Sequence, residues 1–550
     1  MGVFEVLRFG LKRGGMGIAD RCVTNPLFSW TWSGAGEIRF VPRLAEFRPA
    51  DSQTIVEMME GKYLLAGRMV ETGGTSPFAV ESDFDDWFAD LHGFGWLRHF
   101  SAVTDPGQRA FARTLVLDWI ARFGAFEAEA WDLFITARRV LNWLKSLSLL
   151  FDGATPDQSR TILRSLSIQV QSLKVRAPLV YGPVTRLMVE IALVGAALSE
   201  SEEPKDLVAH VDRLGALLET VLGDDGLVKN RNPFTQIQIL SEIIPVNQAL
   251  GQRHGHMSAA IGLRIEAMHR ALEKLVLGTR EPVYANGCGQ VPVELVLAIT
   301  AQSGVRSSGS SLCGGYGILV DGPGKLIADC GLVPPLPFAR DAHAGGLSFE
   351  YASGSTLVVG NCGPAPAGLS DSGNLFRHTS AHSAPTIDDM SSARIGGGSM
   401  AGNALRRRGP EPLMSLDEAE NTLELTTGAY RDRYGLDIVR RLTLMGGGQT
   451  LVGQDRFVAA GNRSRQQGAF TIRFHLAPGV ALERSSGEAF FRLTYRNGEV
   501  WAFLWEGAEA DIDDSVRHSA YFGLNRTRQI VLHGPARSDT DIAWVFTRQS

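Results

Sequence analysis

Two hydrophobic periods divide the chain. Over the first 300 residues apolar side chains recur at helical spacing: Phe111, Leu115, Val116, Trp119, Ile120 and Phe123 form one stripe, and Leu207, Val211, Leu214, Leu218 and Leu222 another, after Pro204. Such spacing gathers apolar residues on one face of an amphipathic helix. The pattern returns around residues 53–66, 131–151, 160–174, 184–198, 234–250 and 256–277, which predicts helices joined in pairs by short loops. The most apolar stretch, Leu179 to Leu198, contains Arg186 and Glu190, both costly in a bilayer, so it reads as a buried helix and not a span. From about residue 305 the period shortens to two. Gly317 to Val320 and Lys325 to Asp329 flank a DGPG turn, and Phe491 to Tyr495 and Val500 to Trp505 flank an RNG turn, so both read as hairpins. Residues 301–550 hold 34 of the 61 glycines, as short strands with tight turns require. The expected class is α+β multidomain: a helical domain over 1–300 and an antiparallel β-sandwich over 301–550. The segment 391–420, with its run Arg406, Arg407 and Arg408, reads as an exposed, solvated loop.

Composition narrows the function classes. The 54 basic and 59 acidic side chains leave a net charge of −5 and no broad positive field, so no nucleic-acid partner is expected. Five cysteines, none in a CxxC pair, imply neither a disulfide framework nor a zinc knuckle and favour a reducing compartment. The N-terminal MGVFEVLRFGLKRGGMG lacks the apolar core of an export signal, so no transmembrane segment and a cytoplasmic location are expected. No P-loop, GxSxG, HExxH or dinucleotide fingerprint is present.

Three stretches of the second half carry chemistry: DAHAGGLSFE at 341–350, LVVGNCG at 357–363, and RHTSAHS at 377–383 followed by Asp388. Together they resemble the heparinase II/III family of polysaccharide lyases, in which HxHxDxLSF, a small-residue turn and R...AHNT follow in that order. TGAY at 427–430, Arg440 with Arg441, GQD at 453–455 and RFHLAP at 473–478 are similar to later motifs of that family. In the first half LHGFGWL at 91–97, WIAR at 119–122, RRVLNW at 138–143, and Asp225-Gly226 with Asn232-Pro233 resemble its helical toroid. The resemblance spans nearly the whole chain. It implies an (α/α) toroid followed by the sandwich, a cleft between them, and β-elimination on an acidic, uronate-containing polysaccharide or oligosaccharide. It also implies an alternative location in the cell envelope or periplasm.

Elimination needs donors that neutralise the uronate carboxylate, a base for the C5 proton and an acid for the leaving oxygen. The resemblance places His343 and His382 in catalysis. Asp341 stands where the family has its first histidine, two residues from His343; on an extended strand the two side chains face the same way, so a carboxylate to imidazole hydrogen bond is expected. Tyr430 matches a family tyrosine and is expected to reach substrate in the cleft. Asn230, Arg231 and Asn232 crowd one loop as candidate carboxylate donors, although Asn232 before Pro233 also reads as a helix cap. Arg377 and Arg473 suit a polyanion or pair with strand carboxylates. Trp96 and Trp143 suit sugar stacking or the core. In some relatives a metal is held at the positions of His343, Asn361 and His382; Asn is a poor substitute for a carboxylate, so no cofactor is expected, zinc being the one considered. The departures are Asp341, Gly345, Thr427, and Thr235 where relatives carry a base tyrosine. The favoured reading is therefore a polysaccharide lyase, and the other is a non-catalytic carbohydrate-binding or polysaccharide-assembly protein on the same scaffold.

Overall fold

The computed structural model describes residues 3–34, 36–81, 84–202, 204–304, 309–365, 373–396, 403–461, 466–484, 490–519 and 523–549. The first part is an (α/α) toroid whose helices include Pro106–Phe123, Leu133–Lys145, Pro156–Arg176, Pro183–Ser199, Leu207–Val221, Pro233–Arg253 and Gly255–Lys274. Their starts are encoded locally. Asp105, Asp132, Thr155 and Asn232 each cap a helix by accepting from its first-turn amides, three of them directly before a proline. Pro183–Ser199 is the buried helix that the Leu179 to Leu198 stretch predicts, and its Glu190 is matched by His210 at 2.5 Å. Trp96 and Trp143 belong to the core.

The helix expected over 53–66 is shorter than its pattern. Ser52–Met59 is helical, Gly61 follows at φ 82°, and Lys62–Leu65 then pairs with Arg68–Glu71 around Ala66 and Gly67, both at positive φ. A tight turn of that kind ends the helix despite its apolar spacing. The loop expected over 391–420 is also more ordered: Ala393–Ile395 pairs with Leu405–Arg407, and Leu413–Asp417 with Thr422–Thr427. Residues 397–402 lie outside the described residues.

The second part is an antiparallel β-sandwich. One layer is an eight-stranded sheet that begins Leu413–Asp417, Thr422–Thr427, Leu436–Met445, Thr450–Ala459 and Asp541–Arg548 and ends at Ala481–Arg484. The facing layer joins two sheets through a bridge between Gly360 and His475. Its five-stranded sheet runs in chain order from Ser311–Cys313 through Tyr316–Asp321, Gly324–Asp329 and Ser348–Ser353 to Thr356–Val359; the four-stranded one contains Gly468–His475. Phe349 stacks on Trp544 across the layers at 5.6 Å. The other face of the five-stranded sheet is covered too, since Tyr316, Ile318, Ile327 and Ala352 pack on Leu227, Leu275, Leu277 and Val283. Hence Ser348–Ser353 is buried at every position, its polar residues Ser348 and Glu350 included. Of the five cysteines only Cys22 is exposed.

Candidate functional site

The helical part meets the sandwich through a polar lock beside the helix Pro233–Arg253. Arg231, held at φ 61°, pairs with Asp329 at 2.6 Å and donates to the carbonyls of Gly314, Gly315 and Leu332. Its guanidinium also lies over the ring of Tyr316, whose hydroxyl donates back to the Arg231 carbonyl. Asn286 closes the cluster by donating to the Tyr316 oxygen and to Asp329.

Asn286 and Gly287 both adopt left-handed backbone, and this turn brings the site together. A Cβ at Gly287 would stand 3.2 Å from the carbonyl oxygen of Asp341, 3.3 Å from Nδ2 of Asn232 and 3.9 Å from Nε2 of His343. Only glycine leaves that space open. Asn232 accepts the Phe234 amide through Oδ1, so its Nδ2 remains to face the gap.

The hydrogen bonds fix the histidine tautomers. His382 Nδ1 lies 2.8 Å from the His378 carbonyl and must donate to it. Burial holds His382 below its ordinary pKa of 6.5, so the ring is neutral at pH 7 and its Nε2 accepts. His343 Nδ1, 3.2 Å away, therefore donates, and the lone pair of His343 sits on Nε2, towards Gly287. Burial, then the proximity of His382 and Arg377, pushes His343 well below 6.5. The residue is only 7% exposed. This is a neutral, weakly basic imidazole in a nearly closed niche.

Other predicted residues lie elsewhere. Asp341 is exposed on a loop, not on a strand, because the strand begins only at Ser348 after Gly345, Gly346 and the left-handed Leu347; the partner of His343 is His382, and no Asp341 to His343 bond forms. Tyr430 is fully buried and donates to the Met390 carbonyl at 3.0 Å, so it braces the sandwich and does not face the cleft. Arg231 spends four of its five N–H donors on the lock described above and is buried, so it presents no free fork to a sugar carboxylate. Asn230 bonds Thr235 through Nδ2 and the Asn232 amide through Oδ1. Arg377 supports the histidine loop, donating to the carbonyls of Ala342 and Asn403. Arg473 pairs with Asp389 at 2.8 Å. Of the candidates, His343, His382 and Asn232 are brought together.

The donor set does not fit a metal at His343, Asn361 and His382. Both ends of the Asn361 amide are used, by the Tyr284 carbonyl and the Ser383 amide, and the two imidazoles bond to each other. Sequence reasoning missed several supports. The Asn-Gly pair at 286–287 is a readable turn signal, yet its place opposite His343 is not. Glu350 is held by Arg517 at 2.8 Å and accepts the amides of Asn361 and Tyr284. Arg440, paired with the equally buried Asp455 at 2.7 Å, donates to the carbonyls of Leu347 and Ser383 and so fixes both histidine segments.

A helical toroid joined to such a sandwich is a heparinase-like fold. Residues 305–545 match the family described as Heparinase II/III-like, C-terminal, so that part of the chain is heparinase II/III-like. The solved structure of Heparinase III superimposes over 98% of this chain and 91% of its own with a TM-score of 0.70 at 11% identity. Heparan sulfate lyase HepC from Pedobacter heparinus does so over 97% and 88%, with a TM-score of 0.56 at 13% identity. A curated relative, FtsZ-localized protein C of Caulobacter vibrioides (strain NA1000 / CB15N), is 26% identical, covering 94% of this chain and 93% of its own. Among the described residues no helix is long and apolar enough to cross a membrane.

Proposed function

We propose that this chain is a non-catalytic assembly protein on a lyase scaffold, working in the cytoplasm with an FtsZ-based structure. The observation that carries this reading is the state of His343, which is enclosed, neutral and held far below the pKa at which a general base is efficient near neutral pH. Among the described residues the expected helpers are not in place: Asp341 does not touch His343, Tyr430 is committed to the core, and Thr235 stands where the resemblance implies a tyrosine. The end-to-end match to FtsZ-localized protein C supports the choice of partner, and the free thiols suit a reducing compartment.

A second reading is favoured by the convergence of Asn232 and His343 on Gly287. In it Asn232 Nδ2 donates to a uronate carboxylate of an acidic polysaccharide, His343 Nε2 takes the C5 proton, the C4–O bond breaks as the C4–C5 double bond forms, and the proton passes from the imidazolium to the leaving oxygen. One experiment separates the two. The protein is incubated with a panel of uronate polysaccharides, including bacterial exopolysaccharides, while the ultraviolet absorbance of the unsaturated product is followed, and it is sedimented with polymerised FtsZ from the same source. The expected result is no absorbance change and co-sedimentation. Product formation that disappears in His343→Ala would instead establish the lyase.

A further inference from the structure

Of the arginine run at 406–408, Arg406 and Arg407 lie on a strand and Arg408 in the loop that follows, half-buried. The strand Leu405–Arg407 pairs with Ala393–Ile395 so that Arg406 stands directly opposite Arg394, an arrangement that opposes like charges. The short helix Arg431–Tyr434 brings Arg433 to the same region. Two cavities of about 630 and 590 Å³ share Met390, Arg394 and Arg408 as walls. The first adds Arg407 and Arg433, and the second adds Asn374 and His378.

These cations outnumber their partners. Arg407 is paired with Glu411 at 3.0 Å, and Arg433 donates to Gln466 at 2.9 Å. Among the described residues Arg394 and Arg408 have no carboxylate partner, and the buried Nε of Arg408 makes no hydrogen bond. Two carboxylates line the cavities, but Asp389 is engaged by Arg473 and Asp432 has its own contact. Burial, then Arg394 and Arg433, press the Arg408 guanidinium below its usual pKa. A buried donor left without a partner and set among like charges is a cost that a bound anion removes.

We propose that this groove binds a diphosphate group at the wall the two cavities share, its adjoining phosphoryls held by Arg394 and Arg408. A phosphoryl group concentrates up to about two negative charges and three acceptor oxygens in a compact unit. That matches paired guanidinium forks better than the single charge of a uronate carboxylate. The inference is independent of what the histidine niche does. The diphosphate has three sources of one chemistry: inorganic pyrophosphate, a nucleoside diphosphate or a lipid diphosphate ester.

The full chain is titrated calorimetrically with inorganic pyrophosphate, against sodium chloride of equal ionic strength and a uronate tetrasaccharide. Saturable one-site binding of pyrophosphate is expected, weakened about tenfold by Arg408→Gln and by Arg394→Gln. Arg394 is exposed, so its substitution leaves the unfolding temperature in place and carries the test should Arg408→Gln destabilise the fold. Competition by a nucleoside diphosphate and by a short prenyl diphosphate then identifies the source, the tighter competitor naming it. Heats equal to those of the salt control, tighter binding of the tetrasaccharide, or wild-type affinity in a folded Arg394→Gln variant would overturn the proposal.

Discussion

Neutral imidazoles make the sandwich sensitive to acid. Burial, then the proximity of His382, takes His475 down to about 3, and its ring nitrogens are fixed by the Ser515 hydroxyl and the Ser380 carbonyl. His343 and His382 are shifted in the same direction. In the unfolded chain each would take up a proton near 6.5, whereas the folded chain holds it off, so the unfolded state binds more protons below that pH and stability is lost as pH falls. Each such group contributes a slope of up to about 1.4 kcal/mol per pH unit between its unfolded and folded values. Calorimetric scans from pH 7 to pH 5 are expected to show a falling unfolding temperature, and His475→Gln should flatten that dependence. A temperature that is constant across the range would show that these rings take up protons as readily in the fold as in the unfolded chain.

Elements were legible where their causes are local. The capped helix starts, the buried helix around Glu190 and the two hairpins follow from spacing, proline placement and turn residues close in the chain. The Asp341 to His343 pairing was misplaced because the family motif and alternation suggest a strand, while Gly345, Gly346 and the left-handed Leu347 make a turn there. Arg231 and Tyr430 looked like site residues because their partners, Asp329 and the Met390 carbonyl, come from distant elements that no local pattern announces. Glycine at 453 shows the same limit: it lies opposite Trp544 on the neighbouring strand, and a Cβ there would clash with the indole ring. The indole nitrogen of Trp544 in turn donates to Asp455 at 2.9 Å. Gly453→Ala is therefore expected to cost about 1–3 kcal/mol through overpacking, more if the indole bond is lost, as read from urea unfolding. An unchanged urea midpoint would mean that the two strands can separate freely.

At the scale of the whole molecule, the lock of Arg231, Asp329, Tyr316 and Asn286 couples the helical ring to the five-stranded sheet. Removing one member of a buried ion pair costs about 3–5 kcal/mol because the other charge is stranded. Arg231→Met should lower the unfolding temperature and split a single calorimetric transition in two, with the helical part and the sandwich melting apart. A single transition at the wild-type temperature would show that apolar contacts around Leu227 and Ile318 suffice for the coupling. The cysteines carry a separate consequence at this scale. Burial raises the Cys330 and Cys362 thiols to about 11 and also raises Cys288 and Cys313, which keeps all four protonated and shielded, whereas Cys22 is open to solvent on the N-terminal helix. A maleimide dye added to the native protein thus attaches at one known point, giving a fluorescent handle without engineering.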